Sequence, residues 1–148
     1  MDKTFKIYTV GKMKGVPIEE QMSWRTELET KLCGVRRFDE VTFIHPPDYY
    51  CYEENYQQSE REIKQWELSQ VRSSDILVVN LDGINDSVGA HFELAAADAV
   101  NGAGNKYIYV IGVGKSKEPL HPWIEDCLLR QEDTIDDAVE YITKYIMM

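Results

Sequence analysis

Cysteine is scarce in this sequence, and no two cysteines have the spacing of a metal-binding or redox pair. The three residues, Cys33, Cys51 and Cys127, are odd in number and form no CxxC motif. This pattern suggests neither a disulfide framework nor a zinc site, so we expect a protein of the reducing cytoplasm. We also expect no metal ion and no cofactor.

Long apolar runs and an excess of positive charge are also missing. No uncharged segment is long enough to cross a bilayer, and the charged opening MDKTFKIYTV does not have the pattern of a secretion signal. Lys and Arg number 16 against 26 Asp and Glu, for a net charge of −10. Because contacts with a phosphate backbone need clustered Lys and Arg, we expect neither nucleic acid nor a membrane as a partner.

The composition that is present fits one globular domain over residues 1–148. A chain of 148 residues can bury a sizeable core, and a hydrophobic content of 43% with three tryptophans argues against disorder. No repeat, linker or low-complexity segment divides the chain. We therefore predict a single domain.

Strand-like and helix-like segments alternate along the chain, which predicts a parallel sheet with right-handed crossovers. The predicted strands are Phe5–Val10, Val41–Ile44, Ile76–Leu81, Lys106–Val113 and a short one at Leu128–Arg130. The predicted helices are Ile18–Leu32, the segment after a capping box at Ser59–Glu62, the segment that carries Glu93, and Thr134 to about Tyr145. Segment 48–56 is aromatic, acidic and without periodicity, so we predict a loop there.

The most informative stretch is Ser73–Ala97, SSDILVVNLDGINDSVGAHFELAAA. Its buried strand runs into an acidic loop that contains glycine, and the helix that follows carries Glu93 in its second turn. In an open α/β sheet, ligands bind in the crevice beyond the carboxyl ends of the strands. We therefore expect Glu93, beside the small residues Ala95–Ala97, to face that crevice rather than bulk water.

Other polar residues surround the same predicted crevice. Asp82 follows the strand, while Asp86 and Ser87 precede the helix, where they act either as N-caps or as part of an anion or hydroxyl site. Asp75 starts the strand at its opposite end and fits a turn better than a magnesium site. His45 ends the second strand, at the correct edge for a ligand, although a histidine before Pro-Pro is more often structural.

A second glutamate, Glu67, lies on the predicted helix that precedes this strand, and we expect it to reach the ligand side of the sheet. Two carboxyl groups in different environments can divide the work of nucleophile and proton donor, as they do in retaining glycosidases. Either glutamate alone would ordinarily belong to a solvated helix face. The pair is therefore the pattern that points to chemistry.

Together these motifs resemble the nucleoside 2-deoxyribosyltransferase-like proteins, including their nucleoside 5′-monophosphate N-glycosidase relatives. The similar segments are KIYTVG, SWR, WELSQVRSSDILVVNLDG, DSVGAHFELAAA and the connector PLHPW. The resemblance implies a flavodoxin- or Rossmann-like α/β fold, a three-layer sandwich with a mostly parallel five-stranded sheet, assembled as a homodimer or a multiple of dimers. It implies an enzyme that cleaves the N-glycosidic bond of a (deoxy)nucleoside or its 5′-monophosphate and passes the sugar to a second base or to water.

The resemblance also implies roles for individual residues. Glu93 would be the nucleophile that attacks C1′ of the sugar, and Tyr8 would orient it. Glu67 would be near the sugar and the base, at a position where the family usually has Asp. Asp82 would lie near the nucleobase.

One position bears on whether the substrate carries a phosphate. Six residues before Glu93, family transferases of free nucleosides have Asp, whereas a monophosphate hydrolase has Ser in contact with the phosphate, and here the residue is Ser87. Arg25 of the SWR motif could pair with such a phosphate, although Asp86 would repel it. The resemblance places His121 in the connector that, in the family, reaches into a neighbouring subunit's site. The full set predicted to bind substrate is Gly11, Arg25, His45, Asp82, Asp86, Ser87, Gly89 and His121.

Other classes of function remain open or are weaker. A non-catalytic module of the same fold that binds or senses a nucleotide is the main alternative, and the Glu at position 67 favours it. The loop TVGKMKG lacks the acidic residues of a receiver domain and the Ser/Thr-rich phosphate loop of a flavodoxin. GVGKS at 112–116 is not a P-loop, because position 109 is Tyr where that motif requires Gly.

Overall fold

One parallel sheet of five strands organises the chain in a computed structural model, which describes residues 4–35, 40–49 and 59–148. The strands are β1 (Phe5–Val10), β2 (Val41–Ile44), β3 (Ile76–Asn80), β4 (Tyr109–Val113) and β5 (Arg130–Glu132). Their order across the sheet is β2-β1-β3-β4-β5, and every neighbouring pair is parallel. β2 lies on the outer side of β1, whereas β4 and β5 follow on the outer side of β3. The order of strands therefore reverses between β1 and β3, and the crevice there is the switch point of the sheet.

Helices cover both faces of the sheet. They are α1 (Ile18–Val35), α2 (Pro46–Tyr49), α3 (Glu60–Arg72), α4 (Val88–Ala103), α5 (Pro122–Asp126) and α6 (Ile135–Tyr141), which continues into a π-helical turn over Ile142–Ile146. A 3-10 turn, Ile84–Asp86, precedes α4. None of the helices in the described ranges is long and apolar enough to cross a membrane.

Alternation along the strands builds two cores. In β3, Ile76 and Val78 pack with α1 and α6, whereas Leu77 and Val79 pack with α3 and α4. A strand whose two faces are both apolar is expected for a sheet covered on both sides. The predicted three-layer α/β sandwich with a five-stranded parallel sheet is confirmed.

Local hydrogen bonds confirm the N-cap side chains of both predicted capping boxes. The Ser59 hydroxyl accepts a hydrogen bond from the backbone N–H of Glu62 at 3.2 Å, and the Thr134 hydroxyl accepts one from Asp137 at 3.1 Å. In each case an otherwise unpaired helix N–H is satisfied, so the serine and the threonine set where α3 and α6 begin.

Several boundaries differ from the prediction. β3 ends at Asn80 rather than Leu81, and α1 continues to Val35 rather than ending at Leu32. β4 begins at Tyr109 rather than Lys106, because the Asn101 side chain pairs with both backbone polar groups of Ile108. β5 covers Arg130–Glu132 rather than Leu128–Arg130. The predicted loop 48–56 begins inside a short helix, Pro46–Tyr49, since the prolines at its start have the φ that a first helical turn needs. The remaining residues of that predicted loop lie outside the described ranges.

Candidate active site

Glu93 is a buried carboxyl group at the switch-point crevice. It is only 7% exposed, and the Tyr8 hydroxyl donates a hydrogen bond to its Oε2. Ala90, Leu94 and Ala97 share its helical face and are buried with it, so the small side chains let α4 approach the sheet. Of the small residues 95–97 that we expected beside Glu93, Ala95 instead faces outward. The carboxyl group thus faces the sheet rather than bulk water.

Glu67, on α3, is the second carboxyl group of the site and is half-buried. Burial raises the pKa of Glu67 to about 7, with Arg25 acting in the opposite direction. Burial also raises the pKa of Glu93 to about 8, and the negative charge of Glu67 adds to this effect. Both carboxyl groups are therefore partly protonated near neutral pH, which is the range in which acid–base catalysts work.

Tyr8 and Arg25 oppose the effect of burial on Glu93. The Tyr8 hydrogen bond and the positive charge of Arg25 both lower the pKa of Glu93. The pKa of Tyr8 is itself raised far above its ordinary value, first by burial and then by Glu93 and Glu67. The phenol therefore stays neutral and remains a hydrogen-bond donor to the carboxylate.

Arg25 is fully buried beneath the site. Its Nε donates to the Thr9 hydroxyl at 2.9 Å, and its Nη1 donates to the backbone oxygen of Gln21 at 2.6 Å. Its Nη2 has no hydrogen-bond partner among the described residues. The guanidinium carbon lies 4.6 Å from the centroid of the Trp24 ring, at cation–π distance. Arg25 is therefore not exposed on the surface, where an arginine that binds a substrate phosphate would be expected.

Gly11 gives these side chains their room at the end of β1. A Cβ at this position would approach Cζ2 of Trp24 to 2.9 Å and Nη2 of Arg25 to 3.4 Å. The first distance is shorter than side chains tolerate, so a larger residue would displace the tryptophan ring. The absence of a side chain at Gly11 is thus required by packing.

His45 lies in the interior next to the same arginine. It is 4% exposed, its Nδ1 is 2.9 Å from Oγ1 of Thr9, and its Nε2 is 3.7 Å from a carboxylate oxygen of Glu29. Burial lowers the pKa of His45, while Glu29 and Asp48 act to raise it. His45 is therefore joined to Arg25 through Thr9.

Four of the predicted residues lie between the end of β3 and the first turn of α4. Ser87 is the N-cap, but its side chain makes no capping hydrogen bond, and Asp86 belongs to the preceding 3-10 turn. The capping role that we considered for either side chain is therefore wrong. Asp82 and Gly89 are exposed, and the backbone N–H of Asp82 is held by the Asn80 side chain at 3.0 Å.

His121 lies apart from these residues, at the start of α5. Its Nδ1 accepts a hydrogen bond from the backbone N–H of Trp123 at 3.1 Å. The backbone N–H of His121 donates a hydrogen bond to the side-chain oxygen of Asn85 at 3.0 Å. His121 lines a groove of about 970 Å³ between the outer face of α4 and the connector before α5. Neither Glu67 nor Glu93 lines this groove.

In the structure the Tyr8 hydroxyl contacts Glu93, and Glu67 acts electrostatically on both. Thr9 joins Arg25 to His45. Sequence reasoning missed Thr9, Gln21 and Glu29, although a threonine near the end of the buried strand β1 was a usable signal. Among the described residues, no three His, Cys, Asp or Glu side chains are grouped so that they could hold a metal ion.

Solved structures share this fold at low sequence identity. A conserved protein from Enterococcus faecalis V583 is 15% identical, with a TM-score of 0.78 over 97% of this chain and 99% of that one. A 2-deoxyribosyltransferase from Bacillus psychrosaccharolyticus is 18% identical, with a TM-score of 0.68 over 92% and 91% of the two chains. A 2-deoxyribosyltransferase from Leishmania mexicana is 15% identical, with a TM-score of 0.54 over 96% and 99%. No protein-family model matches the sequence, and no curated protein matches it.

The comparisons define the class of fold. The chain has a nucleoside 2-deoxyribosyltransferase-like fold, and the resemblance predicted from its motifs is confirmed at this level. Identities of 15–18% leave the reaction itself to be argued from the site.

Proposed function

We propose that this protein cleaves the N-glycosidic bond of a (deoxy)nucleoside or nucleoside 5′-monophosphate, with Glu93 as the nucleophile. The observation that carries the proposal is a buried carboxyl group held by a tyrosine hydroxyl beside a second carboxyl of raised pKa. Two proteins of similar fold are named 2-deoxyribosyltransferases, which supports the same class of substrate.

The first chemical step forms a bond between Glu93 and the sugar. The reactive form is the one in which Glu67 carries a proton and Glu93 is ionised, a minor form at neutral pH because the pKa of Glu93 is raised to about 8. In this form the Glu93 carboxylate attacks C1′, the C1′–N bond breaks, and its electron pair leaves with the base. Glu67 donates a proton to the departing base, because a carboxyl group with a pKa of about 7 is substantially protonated at neutral pH. Tyr8 holds one carboxylate oxygen of Glu93 and leaves the other to attack.

The second step releases the sugar from Glu93. Water in a hydrolase, or the nitrogen of a second base in a transferase, attacks C1′, and the bond to the Glu93 carboxylate breaks. The carboxylate of Glu67, deprotonated in the first step, accepts the proton of this nucleophile. Both carboxyl groups thereby return to their starting states.

A chromatographic assay tests the proposal directly. Purified protein is incubated with the common nucleosides and their 5′-monophosphates, ribo and deoxy, with and without a free acceptor base. We expect release of free base from one of these classes, and a new nucleoside only if the enzyme is a transferase. Calorimetric binding without released base would contradict the proposal and favour the sensing module instead.

We further propose that two copies associate through the outer face of α4 and the connector that contains His121. Large apolar side chains are exposed there, with Trp123 81% and Phe92 52% exposed. The resemblance to dimeric proteins favours a second copy as the partner, which would bring His121 to a neighbouring site.

Sedimentation analysis of variants tests this association. We expect a dimer or a multiple of it for the unmodified chain, and Trp123→Glu should shift the population toward monomer. Val35→Glu, at an exposed apolar position on α1, serves as the control and should leave the mass unchanged. A monomeric unmodified protein at micromolar concentration would contradict the proposal.

A location in the cytoplasm completes the proposal. Cys33 and Cys127 are free thiols in the structure, in keeping with a reducing compartment. Fractionation of cells that contain the tagged protein would show it outside the cytosolic fraction if this location were wrong.

A further inference from the structure

We infer that Asn85 is a positioning residue that fixes the connector Pro119–Trp123 against α4, so that Trp123 is a preformed anchor for a second copy of the chain. The inference rests on the association that is part of the proposed function, and it names the residue that shapes the associating surface. It does not depend on the reaction. Side-chain hydrogen bonds join the turn before α4 to the connector, and these bonds define the role.

Asn85 pairs with the backbone on both sides of Leu120. Its Nδ2 donates a hydrogen bond to the backbone oxygen of Pro119 at 3.0 Å, and its Oδ1 accepts one from the backbone N–H of His121 at 3.0 Å. The side-chain amide has a donor and an acceptor, and the two partners use both. Among the described residues, segment 115–120 makes no backbone–backbone hydrogen bond. Asn85 therefore gives this irregular segment a backbone pairing that it otherwise lacks.

Asn85 is itself held in place from α4 and from the core. It belongs to the 3-10 turn Ile84–Asp86, and Nε2 of His91 lies 2.7 Å from the backbone oxygen of Ile84. Because a carbonyl oxygen only accepts, this ring nitrogen carries a hydrogen. The Ile84 side chain is fully buried in the core that packs against α4. The turn therefore gives Asn85 a fixed position.

The connector transmits this fixed position to Trp123. Pro119 and Pro122 restrict its backbone, and Leu120 packs against the core. Nδ1 of His121 accepts a hydrogen bond from the backbone N–H of Trp123 at 3.1 Å, and the two rings lie edge to face with centroids 6.1 Å apart. The tryptophan is nevertheless 81% exposed. A large aromatic side chain that is exposed and held in place is typical of an interface anchor.

A second copy is the partner because the surface is self-complementary. Trp123 is exposed on it, and Phe92, which is 52% exposed, lines the same groove of about 970 Å³. In a two-fold dimer one surface meets its own copy, so it must offer both a protruding group and a recess. Each copy here offers an exposed indole ring and a groove to receive one.

Sedimentation of Asn85→Ala measures this role without any substrate. Without the two hydrogen bonds the connector must be ordered on association, so we expect the dissociation constant of the dimer to rise at least about tenfold. Asn105→Ala is the matched control, because Asn105 is exposed in the bend after α4 and does not line the groove. If Asn85→Ala does not fold, Asn85→Asp replaces it, since aspartate keeps the shape and an ionised carboxylate cannot donate to Pro119.

Hydrogen exchange tests the position of the connector in the monomer. The measurement is made in Trp123→Glu, which removes the association, and follows the backbone amide of His121. Adding Asn85→Ala should speed the exchange of this amide at least about tenfold, because its acceptor is lost. Adding Asn105→Ala should leave the rate unchanged.

Activity supplies a further readout once a substrate is known. Dilution should lower the specific activity of Asn85→Ala at a higher protein concentration than in the unmodified protein, and concentrated protein should recover it. A merely structural defect would lower activity by the same factor at every concentration.

Three results would overturn the inference. The first is an unchanged dissociation constant in Asn85→Ala or, if that variant is unfolded, in Asn85→Asp. The second is an unchanged exchange rate of the His121 amide. The third is an unmodified protein that stays monomeric at micromolar concentration, which would leave the groove to a different ligand. A raised dissociation constant in a protein that cleaves no nucleoside would keep the role of Asn85 and contradict only the proposed reaction.

Discussion

Glu93→Gln should stop base release, lowering kcat by at least about a thousandfold, as the loss of a covalent nucleophile does in other enzymes. An amide has nearly the shape of the carboxyl group and can still accept the Tyr8 hydrogen bond. It cannot attack C1′, and it cannot stabilise positive charge that develops there. The assay is single-turnover base release, measured with the substrate that the unmodified protein cleaves.

The Glu67→Gln variant separates the two carboxyl groups in the same assay. If Glu67 only donates a proton, Glu67→Gln should lower the rate only slightly for a substrate whose leaving group needs no protonation, such as a nitrophenyl glycoside. Glu93→Gln should lower the rate for that substrate as strongly as for a nucleoside. A Glu93→Gln protein within about tenfold of normal activity would remove Glu93 from the mechanism.

The fold could be predicted because its signal is repeated along the whole chain. Apolar strands alternate with helices along the chain, and this alternation is typical of a parallel sheet. The ends of strands were less predictable because single side chains decide them. Asn101 pairs with Ile108 from the end of α4 and delays the start of β4, and no period in the sequence reports such a contact.

The candidate site was predictable where it follows strand geometry and was not where it depends on burial. Glu93 was found because it follows a buried strand and a turn, which places it at the crevice. The interior position of Arg25 was not foreseen, because an arginine on a helix is ordinarily exposed. Its contacts join α1, β1 and β2 through Thr9 and His45, and chain spacing carries no information about such a network.

Neutralising Glu93 should also stabilise the fold, and more so at pH 8 than at pH 5. Burial raises the pKa of Glu93 from 4.5 to about 8, so the folded state keeps a proton that the unfolded chain releases between these values. Where the folded state binds more protons, stability falls as pH rises. The unmodified protein therefore loses stability over this range, on the order of a few kcal/mol at pH 8. Glu93→Gln does not ionise and avoids that loss.

Urea unfolding at pH 5 and pH 8 measures this effect, with Glu118→Gln as the control because Glu118 is an exposed loop carboxylate. Loss of the charge at position 93 also leaves Arg25 with less compensation, which offsets part of the gain. The net effect is still stabilising, because burial is the largest influence on the pKa of Glu93. If Glu93→Gln raised the free energy of unfolding equally at both pH values, the pKa of Glu93 would not be raised in the folded protein. If Glu93→Gln has a higher free energy of unfolding only at pH 8 and shows no turnover, then the ionisable group at position 93 lowers the stability of the fold but is needed for activity.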